Sequence, residues 1–285
     1  MPQKVKNLIK LIFENAFRFL FNVGFVYLFQ FLFGMQNTLA GVAIGVALTL
    51  FPVTPNGIGT LPMAGIIVGL FTACGLAAQL ALVSPWLALP LNFLFVALIM
   101  LLTCEPLQQK PSITFLLCFV FCQATPVPAG EFPVRLLACF AGGAFVAGVT
   151  VLVWRKQGFG KGGRTLWEQL RLCSKNRGLI LRMAAGIAIA MLVGMLLHLK
   201  KPLWISIVVM SLTQLDFSET IQRIKHRMLG TVLGIALFIL LFRVLVPPKY
   251  AMAAILALGY LSFFTSEYKY KQIVNACLLY TSRCV

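Results

Sequence analysis

FLFNVGFVYLFQFLFGMQNTLAGVAIGVALTLFPVTPNGIGTLPMAGIIVGLFTACGLAAQLALVSPWLALPLNFLFVALIMLLTC, residues 19–104, runs for 86 positions without one Asp, Glu, Lys, Arg or His. No water-facing surface is built that way. A bilayer crossing takes about 20 apolar residues, so this stretch alone has room for four helical spans. Helices are favoured over a barrel, because barrel strands alternate apolar and polar side chains and these apolar runs are unbroken. The whole chain agrees. Of its 285 residues 60% are hydrophobic and 11% charged, where a soluble domain carries about 25% charged residues. A soluble enzyme, a disordered chain and a nucleic-acid-binding domain are excluded. The net charge of +17 is therefore read against a membrane before it is read against DNA.

Working outward, spans are expected at 17–34, 36–52, 61–83, 86–103, 112–127, 134–154, 179–199, 202–216, 228–246, 249–266 and from 272 onward. The fold class is all-α: a polytopic membrane protein of about 10–11 transmembrane helices. With the N-terminus inside, 18 Lys and Arg fall on inner segments and 5 on outer ones, with Arg283 in the tail. That asymmetry fits the positive-inside rule and turns most of the positive charge into a cytoplasmic-face property that also attracts anionic lipid. Residues 1–18 mix Lys4, Lys6, Lys10, Glu14 and Arg18 with Leu8, Ile9, Phe13 and Phe17. They read as an interfacial amphipathic helix. A cleavable signal is not expected, since no short apolar core leads to a small-residue cleavage site.

The polar segment 155–178 divides the chain into a first membrane repeat, 19–154, and a second, 179–276. Gly65-x-x-x-Gly69 matches Gly230-x-x-x-Gly234 at an offset of 165, Pro85 matches Pro248 at 163, and Thr103-x-Glu105 matches Thr265-x-Glu267 at 162. Six spans is an even number, so the two halves point the same way, as parallel six-span repeats do. The second repeat is expected to be incomplete. The ending CLLYTS at 277–282 resembles the translation of a library adaptor. Residues 277–285 are therefore expected to be foreign and are set aside from fold reasoning.

The densest motif is KPLWISIVVMSLTQLDFSETIQRIKHRMLGTVLG at 201–234. Pro-Leu-Trp opens a span, Asp216 closes it, and Arg-x-x-x-Arg-x-x-Gly-Thr-x-x-Gly begins the next. This order resembles the fusaric acid resistance protein-like family, which includes aromatic carboxylic acid exporters. The resemblance implies a bacterial inner-membrane transporter with two related six-span halves. It also implies export of aromatic carboxylates or similar organic anions on the proton-motive force, in some members beside a periplasmic adaptor protein. A homodimer is a further expected partner. Two departures stand out. Pro62 lies where the repeat would place the counterpart of Arg227, and the segment between the halves is short where many members carry a sizeable cytoplasmic domain.

The residues carry their own chemistry. Arg223 and Arg227 share a face if the segment is helical, and a guanidinium pair can orient carboxylates through bidentate bonds. They also read as plain positive-inside anchors. Thr231 offers its hydroxyl to a backbone carbonyl or to a ligand. Trp204 is a membrane-belt residue or a stacking surface for an aromatic ligand. Gly230, Gly234, Gly65 and Gly69 are expected to pack helices closely. Proton coupling needs a titratable group at membrane depth, and the candidates are Asp216, Glu105 and Glu267. Cys118 and Cys122 lie four apart, but two thiols without a His make a poor metal site, so no metal and no cofactor are expected. No nucleophile elbow, phosphate loop or zinc-protease motif is present, so an enzyme is not expected. A passive organic-anion channel and a non-transporting envelope component remain alternatives to the exporter.

Overall fold

The computed structural model describes residues 3–197, 199, 203–247, 250–264 and 268–281. Among these the regular elements are helices, with one isolated parallel bridge between Ile58 and Arg164. In chain order they are α1 (Gln3–Phe33), α2 (Thr38–Leu50), α3 (Thr60–Ala81), α4 (Pro85–Thr103), α5 (Ser112–Ala124), α6 (Phe132–Gln157), α7 (Leu166–Cys173), α8 (Arg177–Leu196), α9 (Leu203–Leu212), α10 (Phe217–Ile239), α11 (Ala251–Leu261) and α12 (Tyr268–Thr281). Among the described residues seven helical runs are long and apolar enough to cross a bilayer, and three shorter apolar helices accompany them. The chain is an all-α polytopic membrane protein.

It forms two compact units, residues 24–215 and residues 1–23 with 216–285. The division does not fall at the 155–178 segment. α7 and α8 pack on α4, and α9 packs on α5 and α8, so the start of the second half is built into the larger unit. The polar segment is itself largely ordered helix. Gly158 ends α6 in the left-handed conformation at φ 74. Thr165 and Glu168 form a capping box, each side chain accepting the other's backbone N–H at the start of α7. That is the expected consequence of a Thr-x-x-Glu spacing. α3 packs on α5 as α10 packs on α12.

Two boundaries differ from the sequence reading. The interfacial helix and the first span are one continuous α1 of 31 residues, with no break near residue 18. At 1.5 Å per residue it is about 46 Å long, more than the roughly 30 Å hydrocarbon layer needs. Its polar first turns are therefore an extension of the span. Second, α10 starts at Phe217 rather than 228, because the basic cluster is helical too.

In the larger unit α5 is the central element. It has 13 residues, of which ten are buried, and α2, α3, α4 and α9 pack around it. A helix of about 20 Å can be this short because protein, not lipid, surrounds it. Phe115 of α5 meets Phe71 of α3 with ring centroids 4.8 Å apart, and Phe119 meets Phe95 of α4 at the same distance. α6 closes on α2 and α3 through Gly142 and Gly143. A Cβ at Gly142 would fall 2.6 Å from Ile44 Cδ1, and one at Gly143 would fall 3.3 Å from the Val68 Cα.

Connections in this unit sort into two sets. In one set, Arg164 N donates to Gly57 O (2.9 Å), Gly59 N donates to Arg164 O (3.0 Å), and Arg164 Nη2 donates to Asn56 O (2.6 Å). Gln169 Nε2 donates to Leu102 O and Glu105 O, and Lys110 Nζ donates to Gln214 Oε1. In the other set, Arg135 ties residues 36–37 to residues 122 and 125, and Gln79 Nε2 donates to Val127 O (3.3 Å). Consecutive crossings produce this alternation.

The smaller unit is built on α10, α11, α12 and the start of α1. Its buried core is Phe238, Leu258 and Cys277. Phe19 packs edge-on against Tyr260 and Phe263, each with centroids 6.0 Å away, and Tyr260 Oη donates to Ile12 O (3.1 Å).

Candidate functional site

In the smaller unit the basic cluster occupies the early turns of α10. Asp216 stands at the N-cap position with its carboxylate exposed and bonded to no backbone N–H. Its carbonyl accepts from Thr220 N and Thr220 Oγ1. A carboxylate at a helix start suits the positive end of the helix dipole, which is a structural reason for an acid here. One helical turn separates Arg223 from Arg227, so both lie on one face, and both are half-buried. The Arg223 guanidinium lies 4.9 Å from the centroid of the Tyr268 ring on α12, a cation–π arrangement. Tyr268 Oη is buried with no hydrogen-bond partner among the described residues. Thr231 Oγ1 donates to Arg227 O (2.8 Å), so its proton is engaged within the helix and its oxygen lone pairs remain.

Gly230 and Gly234 face α12. A Cβ at Gly230 would sit 2.9 Å from Gln272 Cβ, and one at Gly234 would sit 2.5 Å from Ala276 Cβ and 2.8 Å from Ile273 O. The missing side chains let α12 approach α10 and hold Tyr268 beneath Arg223. Gly65 and Gly69 differ. Both are exposed, and no described atom lies within 4 Å of a Cβ at either position. Among the described residues neither meets a neighbouring helix, unlike Gly230 and Gly234 with the same spacing. Spacing alone does not say which face of α3 is turned inward.

The larger unit holds the other candidates. Glu105 is half-buried just past α4. Its Oε1 accepts from Asn176 Nδ2 (2.7 Å) and its Oε2 from Leu107 N (3.2 Å). Its repeat counterpart Glu267, with Thr265 and Pro248, lies outside the described residues. Trp204 is half-buried on α9. Two residues on, Ser206 lines a cavity of about 50 Å³ between α3, α5, α8 and α9, with Leu82, Val120, Gln123, Met191 and Met195. Both Gln123 amide atoms and Ser206 Oγ are buried without a hydrogen-bond partner among the described residues. A cavity of this size with a few unpaired polar groups has room for a few water molecules rather than for an organic acid.

Sequence reasoning missed Arg135. Counted there as an outer-face charge, it is 2% exposed. Its Nε donates to Asn37 Oδ1, Nη1 to Cys122 O (3.1 Å), and Nη2 to Gln36 O (2.8 Å) and Thr125 O (2.9 Å). It also missed Tyr268, Gln123 and Ser206, whose signal is visible only once the helices are packed. Cys139 of α6 was missed as a companion of Cys118 and Cys122. The three sulfurs lie within 4.8 Å of one another.

Residues 188–282 match the model of the family described as fusaric acid resistance protein-like. That region of the chain is fusaric acid resistance protein-like, which bears out the resemblance read from 201–234 and extends it across α9 to α12. No curated protein and no solved structure matches the chain.

Proposed function

We propose, starting from the fusaric acid resistance protein-like region at 188–282, that this membrane protein is an inner-membrane exporter. Its substrates are aromatic carboxylic acids or related organic anions, and the proton-motive force drives it. The supporting observation is the α10–α12 constellation, in which Arg223 and Arg227 share one face and the Arg223 guanidinium lies over Tyr268. A guanidinium offers a planar fork that fits a carboxylate, while an aromatic face suits an aromatic body. The seam between α10 and α12 thus brings together both halves of an aromatic acid's chemistry. Glu105 is the proton carrier on this reading. Its carboxylate is half-buried and held as an acceptor by Asn176 and the Leu107 amide. By the charge asymmetry the N-terminus is cytoplasmic.

The test is transport into everted membrane vesicles with a labelled aromatic acid. Uptake should require a proton gradient and collapse with a protonophore. Losing a charged hydrogen bond is worth about 1.5–3 kcal/mol, so R223A with R227A should lower transport about tenfold or more. Tyr268→Leu should lower it for aromatic acids more than for acetate. No flux above empty vesicles would refute the exporter. Flux that follows membrane potential and ignores pH would make the protein a channel.

A further inference from the structure

Cys118 and Cys122 stand one turn apart on α5, and α6 brings Cys139 to them from a different part of the chain. All three are buried, and their sulfurs lie within 4.8 Å of one another. The neighbouring helix leaves room for the third sulfur, since a Cβ at Gly75 of α3 would fall 3.3 Å from Cys139 Sγ. An independent observation concerns charge. Arg135, one turn before Cys139 on α6, is 2% exposed, and each of its five hydrogen bonds goes to a neutral oxygen, one of them the Cys122 carbonyl. No carboxylate pairs with it among the described residues. A buried cation satisfied only by neutral dipoles is costly to hold.

We propose that Cys118, Cys122 and Cys139 bind one thiophilic divalent cation of the zinc class. Three thiols lose three protons to water, three metal–sulfur bonds form, and nothing is oxidised or reduced. Three thiolates and one dication carry a net charge of −1, which one Arg135 guanidinium neutralises. The geometry is within reach. A metal–thiolate bond of about 2.3 Å in tetrahedral arrangement sets sulfurs about 3.8 Å apart, so sulfurs already within 4.8 Å close by about an ångström at most. Thiolate donors without imidazole or carboxylate select soft ions over magnesium or calcium. The fourth position falls to water, as a site with three protein ligands leaves it. Sequence spacing shows only the 118/122 pair, and the third ligand comes from packing.

The test uses the full chain purified in detergent and stripped with a chelator. Cd(II) is the probe, because its thiolate complexes absorb in the ultraviolet. The expected result is a charge-transfer band that saturates at one equivalent, with three protons released per ion and the band displaced by excess Zn(II). C118S, C122S and C139S should each weaken binding about tenfold or more, while C277S leaves it unchanged. No band at one equivalent, or a band that survives in the triple variant, overturns the proposal. A second measurement does not depend on the variants folding. On partial unfolding of the unmutated protein, saturating Zn(II) should slow alkylation of these three cysteines by N-ethylmaleimide, read by peptide mass spectrometry. Equal alkylation with and without Zn(II) overturns the proposal as well.

Discussion

Arg135 supplies most of the hydrogen bonds in the larger unit's far set of connections, beside the one from Gln79 to Val127. Its guanidinium satisfies Asn37 Oδ1 and the carbonyls of Gln36, Cys122 and Thr125. Three of these carry the helix-end or turn backbone that a membrane interior cannot hydrate. Arg135→Ala removes every one of those donors and should cost on the order of 3–5 kcal/mol, the range for breaking a buried charged network. The measurement is thermal unfolding in detergent, where the variant should melt well below the parent. Arg135→Lys should not restore stability, because one ammonium cannot span acceptors set in a planar fork. From sequence this residue could only look like a boundary anchor. It is a lone cation beside an apolar run, and its acceptor Asn37 is 98 positions away. Hydropathy places an Arg near the end of a span but does not say whether it reaches outward to water or inward to orphaned carbonyls. The same holds for Gln123 and Ser206, which lie inside runs whose periodicity carries no polar stripe. Gln123→Leu supplies a contrast. It removes an unpaired buried amide and should leave stability unchanged or raise it by about 1 kcal/mol, seen as an unchanged or higher melting temperature. A lower melting point would mean that Gln123 has a partner in the folded protein.

At the scale of elements, composition and hydropathy carried most of the fold. Helix class and the existence of the apolar helices follow from apolar run lengths, whereas the helical basic cluster at the start of α10 and the capped helix α7 lie in polar sequence that run length does not reach. Partner choice did not follow. Gly65-x-x-x-Gly69 and Gly230-x-x-x-Gly234 are the same pattern, yet one pair is exposed on α3 and the other is pressed against α12. The pattern states that a face is small; only packing states what meets it. Alanine substitution separates the two. Gly234→Ala puts a methyl 2.5 Å from Ala276 Cβ, and overpacking of that kind costs about 1–3 kcal/mol. Gly65→Ala meets open space and gains helix propensity, so it should be neutral or stabilising by up to about 1 kcal/mol. Thermal melts of the two variants side by side decide this. Equal destabilisation would mean that the α3 face is covered in the native protein. The boundary at residue 18 was also illegible, because an amphipathic segment and an apolar segment of compatible phase simply continue as one helix.

For the whole molecule, two unrelated kinds of observation bear on how the chain threads the bilayer. Charge counting puts 53–60, 104–111 and 155–178 on one side and 35, 84 and 128–133 on the other. Hydrogen bonding links segments within each of these sets: 56–59 with 164, 102 and 105 with 169, and 176 with 105 on one side, and, through the Arg135 side chain, 36–37 with 125 on the other. Charge asymmetry alone can be produced by a few long loops, and hydrogen bonding alone does not say which set is cytoplasmic. Together they make a prediction about sidedness. Single cysteines at Gln108 and Lys161 should be labelled by a membrane-impermeant maleimide only from the cytoplasmic side. Single cysteines at Met35 and Gly130 should be labelled only from the opposite side. Right-side-out and everted vesicles supply the two exposures. All four positions lie in connections or at their edges, so the added thiols disturb no buried contact. Labelling of 108 and 35 from the same side would break the alternation itself. Labelling of both sets with sides exchanged would keep the fold and invert the orientation, leaving the basic face of α10 to be assigned afresh.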